Sequence, residues 1–240
     1  MSRVTGGPNL YGYEIGILTL ETRFPRIPGD IGNACSFPFP VRYYVVKGAS
    51  PERVVKEGDP ALLQPFIEGA RFLEREGVKA ITTSCGFLAL FQREMAAAVS
   101  IPVFTSTLLL VPLVHRMLRP DQQVGILTVY APSLSRRHLE AVGAADTPVV
   151  IVGAEQGKEF SRVLLENEPT LDVEQARQDL LQAAQHLVHT HPRVGAIVLE
   201  CTNMPPYARQ IQQAVGLPVF DILSLTTMVY QAVHQCSYEE

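Results

Sequence analysis

Short apolar runs recur along the chain at Ile15–Leu20, Val41–Val46, Val78–Thr82, Val103–Thr105, Val124–Thr128, Val149–Val152, Val194–Leu199 and Val219–Asp221. They are rich in β-branched residues and short, which predicts buried strands rather than helices. The longer segments between them repeat their apolar positions every three or four residues, the period of an amphipathic helix. The clearest helix is predicted to begin at Asp172, with Asp172 as cap and Gln175 answering it, and with Val173, Ala176, Leu180, Ala183 and Leu187 on one face. Pro192 stops it after His189-Thr190-His191. A second is predicted from about Ala61 to Glu76, ending at Gly77, where a left-handed cap needs no side chain. Strands alternating with helices predict parallel sheets covered by helices.

The pattern also repeats. The stretch Gly77-Val78-Lys79-Ala80-Ile81-Thr82-Thr83-Ser84-Cys85 matches Arg193-Val194-Gly195-Ala196-Ile197-Val198-Leu199-Glu200-Cys201, and Ile101-Pro102-Val103-Phe104 matches Leu217-Pro218-Val219-Phe220, both at an offset of 116 positions. Upstream, Glu14-Ile15-Gly16-Ile17-Leu18-Thr19 echoes Gln123-Val124-Gly125-Ile126-Leu127-Thr128 at an offset of 109, the difference being a change in loop length. Two diverged copies of one unit predict an α/β fold with two pseudo-symmetric lobes, each an open parallel sheet of about four strands flanked by helices. The N-terminal lobe is expected over residues 1–106 and the C-terminal lobe over 107–221. Ligands of such sheets bind at the carboxyl ends of the strands.

Composition narrows the function classes. With 47% hydrophobic and 18% charged residues the chain is an ordinary globular one. A net charge of −4 without any Lys/Arg run argues against nucleic acid as a partner. The first residues lack an apolar stretch of signal-peptide type, and the oiliest segment, Leu108 to Val114, is short and broken by Pro112, so no membrane role and a cytoplasmic location are expected. Thiol chemistry then outranks disulfides for Cys35, Cys85, Cys201 and Cys236. No C-x-x-C spacing exists, and His186, His189 and His191 fall in the last turn of a helix, so no metal site is expected. Cys35 and Cys236 have no repeat partner and are read as incidental.

Cys85 and Cys201 are repeat equivalents, and each is read as closing a strand and opening a helix. Helix N-termini gather unpaired N–H groups that stabilise an anion, so both thiols are expected to ionise more easily than usual. Two such groups, one per lobe, suit proton transfer at a carbon next to a carboxylate. A thiolate removes the proton from one face while the facing thiol returns one from the other. The N–H groups of two converging helix starts would stabilise the carbanion between them.

At these residues, Ile-Thr-Thr-Ser-Cys85-Gly and Leu-Glu-Cys201-Thr-Asn, the chain resembles the aspartate/glutamate/hydantoin racemase family over nearly its whole length. The resemblance implies a cofactor-independent racemase or epimerase acting on an amino acid, a hydantoin or a related small carboxylate, with Cys85 and Cys201 as the acid/base pair. It further implies that a C-terminal helix, about Ile222 to Gln235, folds back to complete the first lobe. Glutamate racemases of the family carry Asn-Thr and Thr-His after their cysteines and Asp-Ser-Gly after the first strand, whereas this chain has Gly86-Phe87, Thr202-Asn203 and Thr19-Leu20-Glu21-Thr22. Maleate-type isomerases and arylmalonate-type decarboxylases share the fold and stay open as alternatives, although the decarboxylases keep only the second cysteine. A ligand-binding module without chemistry is a third alternative.

Around the pair, Thr83, Ser84, Gly86, Thr202 and Asn203 are candidates for substrate contact, and Thr128 and Tyr130 end the equivalent strand of the second lobe. The loop from Glu21 to Pro40 is too long for a connector and is expected to shape the site, with Arg23 or Arg26 holding a substrate carboxylate. Glu200 is expected to point away from Cys201, because strand side chains alternate, unless the turn has already begun there, and is read as a surface or supporting carboxylate. The chain is open to forming a homo-oligomer.

Overall fold

In a computed structural model, which describes residues 6–7 and 10–235, the chain forms two parallel four-stranded sheets with identical strand order. The first contains β1 (Ile15–Leu20), β2 (Val41–Val46), β3 (Ala80–Thr83) and β4 (Val103–Phe104), arranged β2-β1-β3-β4. The second contains β5 (Gln123–Thr128), β6 (Val149–Gly153), β7 (Val194–Leu199) and β8 (Val219–Phe220), arranged β6-β5-β7-β8. The helices are α1 (Leu63–Arg75), α2 (Gln92–Ala97), α3 (Val111–Met117), α4 (Arg136–Ala141), α5 (Phe160–Leu165), α6 (Val173–Thr190), α7 (Ala208–Val215) and α8 (Ile222–Val233). The α/β class and its doubling are therefore as the repeat implied. Even the register repeats: Ile81 pairs with Val103, and Ile197 with Val219, two couples related by the same 116-residue offset.

Every residue of β1, β3 and β7 is buried, which is why these strands carry apolar residues and threonines with no charge among them instead of alternating apolar and polar ones. The equivalent glycines of β1 and β5 let one helix lie hard against each sheet. A Cβ on Gly16 would come to 3.0 Å from Leu73 Cδ1 of α1, and one on Gly125 to 2.8 Å from Leu187 Cδ2 of α6.

Helix α1 ends as expected, with Gly77 at φ +92°. Helix α6 starts as expected too, the Asp172 carboxylate accepting the N–H groups of Glu174 and Gln175. The answering partner differs: Glu159, not Gln175, accepts from the Asp172 N–H, while the Gln175 amide donates to Asp179. Asp179 also rotates the buried face, which is Ala176, Asp179, Leu180, Ala184 and Leu187. Its Oδ2 accepts the N–H groups of Glu159 and Phe160, tying down the loop before α5 and leaving Val173 exposed.

Helix α8 returns to the first sheet, where it lies against β3. Tyr230 stacks on Phe39 with ring centroids 3.7 Å apart, and His234 Nδ1 lies 3.4 Å from a Glu14 carboxylate oxygen. Cys236 lies outside the described residues.

Candidate active site

In a sheet ordered 2-1-3-4 the chain leaves the two central strands in opposite directions, which opens a crevice at their carboxyl ends. Cys85 follows β3 at that point of the first sheet, and Cys201 follows β7 at the equivalent point of the second. Cys85 has extended backbone and caps a 3₁₀ turn, Gly86–Phe91, that runs into α2. Cys201 instead sits in a turn closed by the Met204 N–H on its carbonyl, 3.1 Å. The expectation of a helix start at both thiols holds only for Cys85, because Pro205 and Pro206 have no N–H to offer and regular α-helix begins at Ala208.

The two thiols line one narrow cavity, about 370 Å³ of empty space in which about 30 Å³ can hold the centre of a water molecule. Its walls are apolar. Leu20 and Phe24 come from the end of β1 and the loop after it, Pro51 and Val55 from the segment after β2, and Phe87 from the turn after Cys85. Val129, Leu164 and Leu165 close it from the second lobe. Residues Glu52–Glu57 wind as a π-helix that buries Val54 and Val55, and α5 occupies the corresponding place after β6.

Of the residues expected to meet substrate, Ser84, Gly86, Thr202 and Asn203 line this cavity and Thr83, Thr128, Tyr130, Arg23 and Arg26 do not. The Ser84 hydroxyl oxygen accepts from the Leu20 N–H at 3.0 Å and keeps its own proton to give. Thr202 Oγ1 donates across the lobes to the Ser84 carbonyl at 2.6 Å. Thr83 spends its hydroxyl on the Thr105 carbonyl at 2.7 Å, holding β3 to the end of β4. Tyr130 caps a short 3₁₀ turn outside the cavity. Arg23 is exposed. Arg26 is close but engaged: its guanidinium donates to Asp30 at 3.0 Å and Thr22 at 3.1 Å and lies over the Phe24 ring at 4.4 Å. The carboxylate clamp expected from the 21–40 loop is thus replaced by an internal ion pair. Asp30 of that pair also accepts from the Asn203 amide at 2.6 Å, so the loop is fastened to the Cys201 turn.

Glu200 is the residue the sequence missed. It is fully buried and lines the cavity, contrary to the expectation that it points away from Cys201. Strand β7 ends at Leu199, so the alternation rule stops one residue too early to apply. Its Oε2 accepts from the Thr128 hydroxyl at 2.7 Å, which gives Thr128 a role through Glu200 rather than through substrate. Its Oε1 is buried with no hydrogen-bond partner among the described residues. Gly86 faces it from the other lobe, and a Cβ there would overlap Oε1 and the Glu200 carbonyl oxygen. The available signal was a lone carboxylate at the end of a six-residue apolar run, next to a repeated cysteine.

The electrostatics reverse the expectation for the thiols. Burial pushes the Cys85 thiol up to about 12, and the Glu200 carboxylate adds to this, against the N–H groups of Phe87 and Leu88 and the Arg26 guanidinium. Cys201 is likewise pushed well up by burial and then by Glu200, with the Asn203 N–H opposing. A short helix start cannot offset removal of an anion from water when a carboxylate stands beside it. Burial lifts Glu200 itself to about 7, with Thr128 pulling down. Of the three groups Glu200 therefore gives up its proton first, and near neutral pH both thiols hold theirs.

The fold and this pair of facing strand ends define the class. The family model described as Asp/Glu/Hydantoin racemase matches residues 49–228, and the chain belongs to that family. A glutamate racemase from Bacillus anthracis has the same fold, with a TM-score of 0.60 at 18% identity over 92% of this chain and 82% of its own. Among individual relatives, the chain is 33% identical to a dimethylsulfoniopropionate lyase of Durusdinium sp. clade D, over 90% of its own length and 73% of the relative's. It is also 33% identical to dimethylsulfoniopropionate lyase 3 of Emiliania huxleyi, spanning 88% of itself and 57% of that longer protein. Among the described residues no helix is long and apolar enough to cross a membrane.

Proposed function

We propose that this chain is a lyase that removes a proton next to a carboxylate and expels a leaving group from the neighbouring carbon, with dimethylsulfoniopropionate as substrate. The observation that carries the proposal is a thiol pair from two sheets on one narrow, largely apolar cavity, in a chain one-third identical to lyases of that name. One thiolate of the pair takes the proton from the carbon beside the carboxylate. The C–H electrons become the new C=C bond, the C–S bond breaks, and its electron pair leaves on sulfur as dimethyl sulfide, so acrylate remains. The leaving group departs neutral and needs no proton, which makes a single base sufficient. The Ser84 hydroxyl, which keeps its own proton, takes up the charge that develops on the carboxylate.

A second proposal is racemisation of a small carboxylate, favoured by the presence of a cysteine at both sheet ends, since inversion needs an acid and a base on opposite faces. One experiment separates the two. Purified protein is given dimethylsulfoniopropionate and the headspace is assayed for dimethyl sulfide, while parallel samples hold amino acids in deuterated water. Sulfide release that falls at least 100-fold in Cys85→Ser or Cys201→Ser supports elimination. Absence of sulfide together with deuterium at an amino-acid stereocentre would reject it in favour of racemisation.

A further inference from the structure

We propose that Glu200 is the anchor for an onium group, fixing the permanently positive sulfonium or quaternary ammonium end of a small zwitterion beside the two thiols. The inference rests on the elimination reading and extends it by naming the residue that selects the charged end of the substrate.

Glu200 is held for this task. It is fully buried on the cavity wall, Thr128 fixes Oε2, and Oε1 is left without a partner. Among the described residues no Lys, Arg or His lines the cavity, and Arg26, whose charge is felt at Cys85, is engaged by Asp30 and Thr22. An ionised Glu200 consequently has no counter-charge in its own walls, and such an anion is strongly disfavoured. In the empty site it answers by keeping its proton up to about pH 7. The other titratable groups around it are the two thiols and, behind Asn203, the Asp30 already paired with Arg26.

The surrounding walls decide which cation fits. Phe87, Val129 and Leu164 offer no acceptor, so the N–H groups of a primary ammonium turned toward them would go unpaired. A trialkyl onium has no N–H and presents only methyl groups, which suit these walls, while its charge meets the carboxylate. Seating it also removes the repulsion that Glu200 exerts on a thiolate at Cys85 or Cys201. Formation of the base is thereby coupled to arrival of the correct substrate.

The test uses two ligands of one shape, 3-(trimethylammonio)propionate and its neutral carbon isostere 4,4-dimethylpentanoate, titrated calorimetrically at pH 8. Wild-type protein is expected to bind the ammonium compound at least 10-fold more tightly than the isostere, and Glu200→Gln to bring the ratio close to one without weakening the isostere. Should that variant fold poorly, wild-type protein at pH 6.5 supplies a second readout. The ammonium compound should drive proton release, read from buffers of different ionisation enthalpy, and the isostere should not. Equal binding of the two ligands to wild type, a preference that survives Glu200→Gln, or no proton release at pH 6.5 would overturn the proposal. A preference for the ammonium compound without dimethyl sulfide production leaves the anchor standing and removes the elimination reading, and the converse result removes the anchor alone.

Discussion

Glu200 concentrates the chemistry that single residues contribute. Because its charge is the second cause of the raised Cys85 thiol, Glu200→Gln should speed alkylation of Cys85 by iodoacetamide at pH 8 several-fold, followed by mass spectrometry of the labelled peptide. An unchanged or slower rate would show that the carboxylate does not govern the thiol. The same residue sets a pH dependence. Its carboxyl is raised to about 7 in the folded chain from 4.5, so between these values the native state binds the extra proton and stability falls as pH rises. Integrated over that window the loss is about 3 kcal/mol. His138 acts with the opposite sign over part of this window, so the Glu200 contribution is read as the difference between wild type and Glu200→Gln in urea denaturation at pH 5 and pH 8. Gly86→Ala should abolish activity and lower the melting temperature, since a methyl group would collide with a Glu200 carbonyl that the backbone cannot withdraw. The chain advertised its two thiols through their repetition, but nothing local announced Glu200, whose orientation depends on where β7 stops.

At the scale of elements, strands were the most legible feature. Six of the eight begin on the residue expected from the apolar run and end within one residue of its end, because burial leaves few polar positions to blur the boundary. Helices were legible where a cap announced them, as at Asp172, and less so where tertiary partners took over, as with Glu159 in place of Gln175. The short helix α4 illustrates the second case. His138 Nδ1 accepts the Ser135 N–H while the Ser135 hydroxyl receives the backbone in return, and the imidazole stands edge-on to Phe87 of the cavity wall. Burial lowers this histidine to about 4 from 6.5. The unfolded chain takes up the proton first as pH falls, so the contribution of neutral His138 is intact above about 6.5 and is lost progressively toward 4. His138→Gln should remove that acid limb from a stability profile between pH 4 and 7, whereas retention of the full slope would assign it to other groups.

For the whole molecule, the decisive contacts lie between lobes, and these no local pattern encodes. The loop after β1 was recognised as too long for a connector, yet its arginines were given the wrong partner. It reaches the second lobe through Asp30, which is 3% exposed and bound to both Arg26 and Asn203. Asp30→Ala leaves a partly buried guanidinium without its carboxylate and should cost about 1.5–3 kcal/mol, measured by urea denaturation, with loss of turnover as the Cys201 turn loosens. The cavity walls at Leu164, Leu165 and Val55 were equally illegible, for their identity as walls exists only once two sheets face each other. The return of α8 to β3 has a last consequence. The backbone passes between the lobes twice, once after β4 and again after β8, so a single cut in the first crossing would still leave the second half tethered to the first sheet through α8.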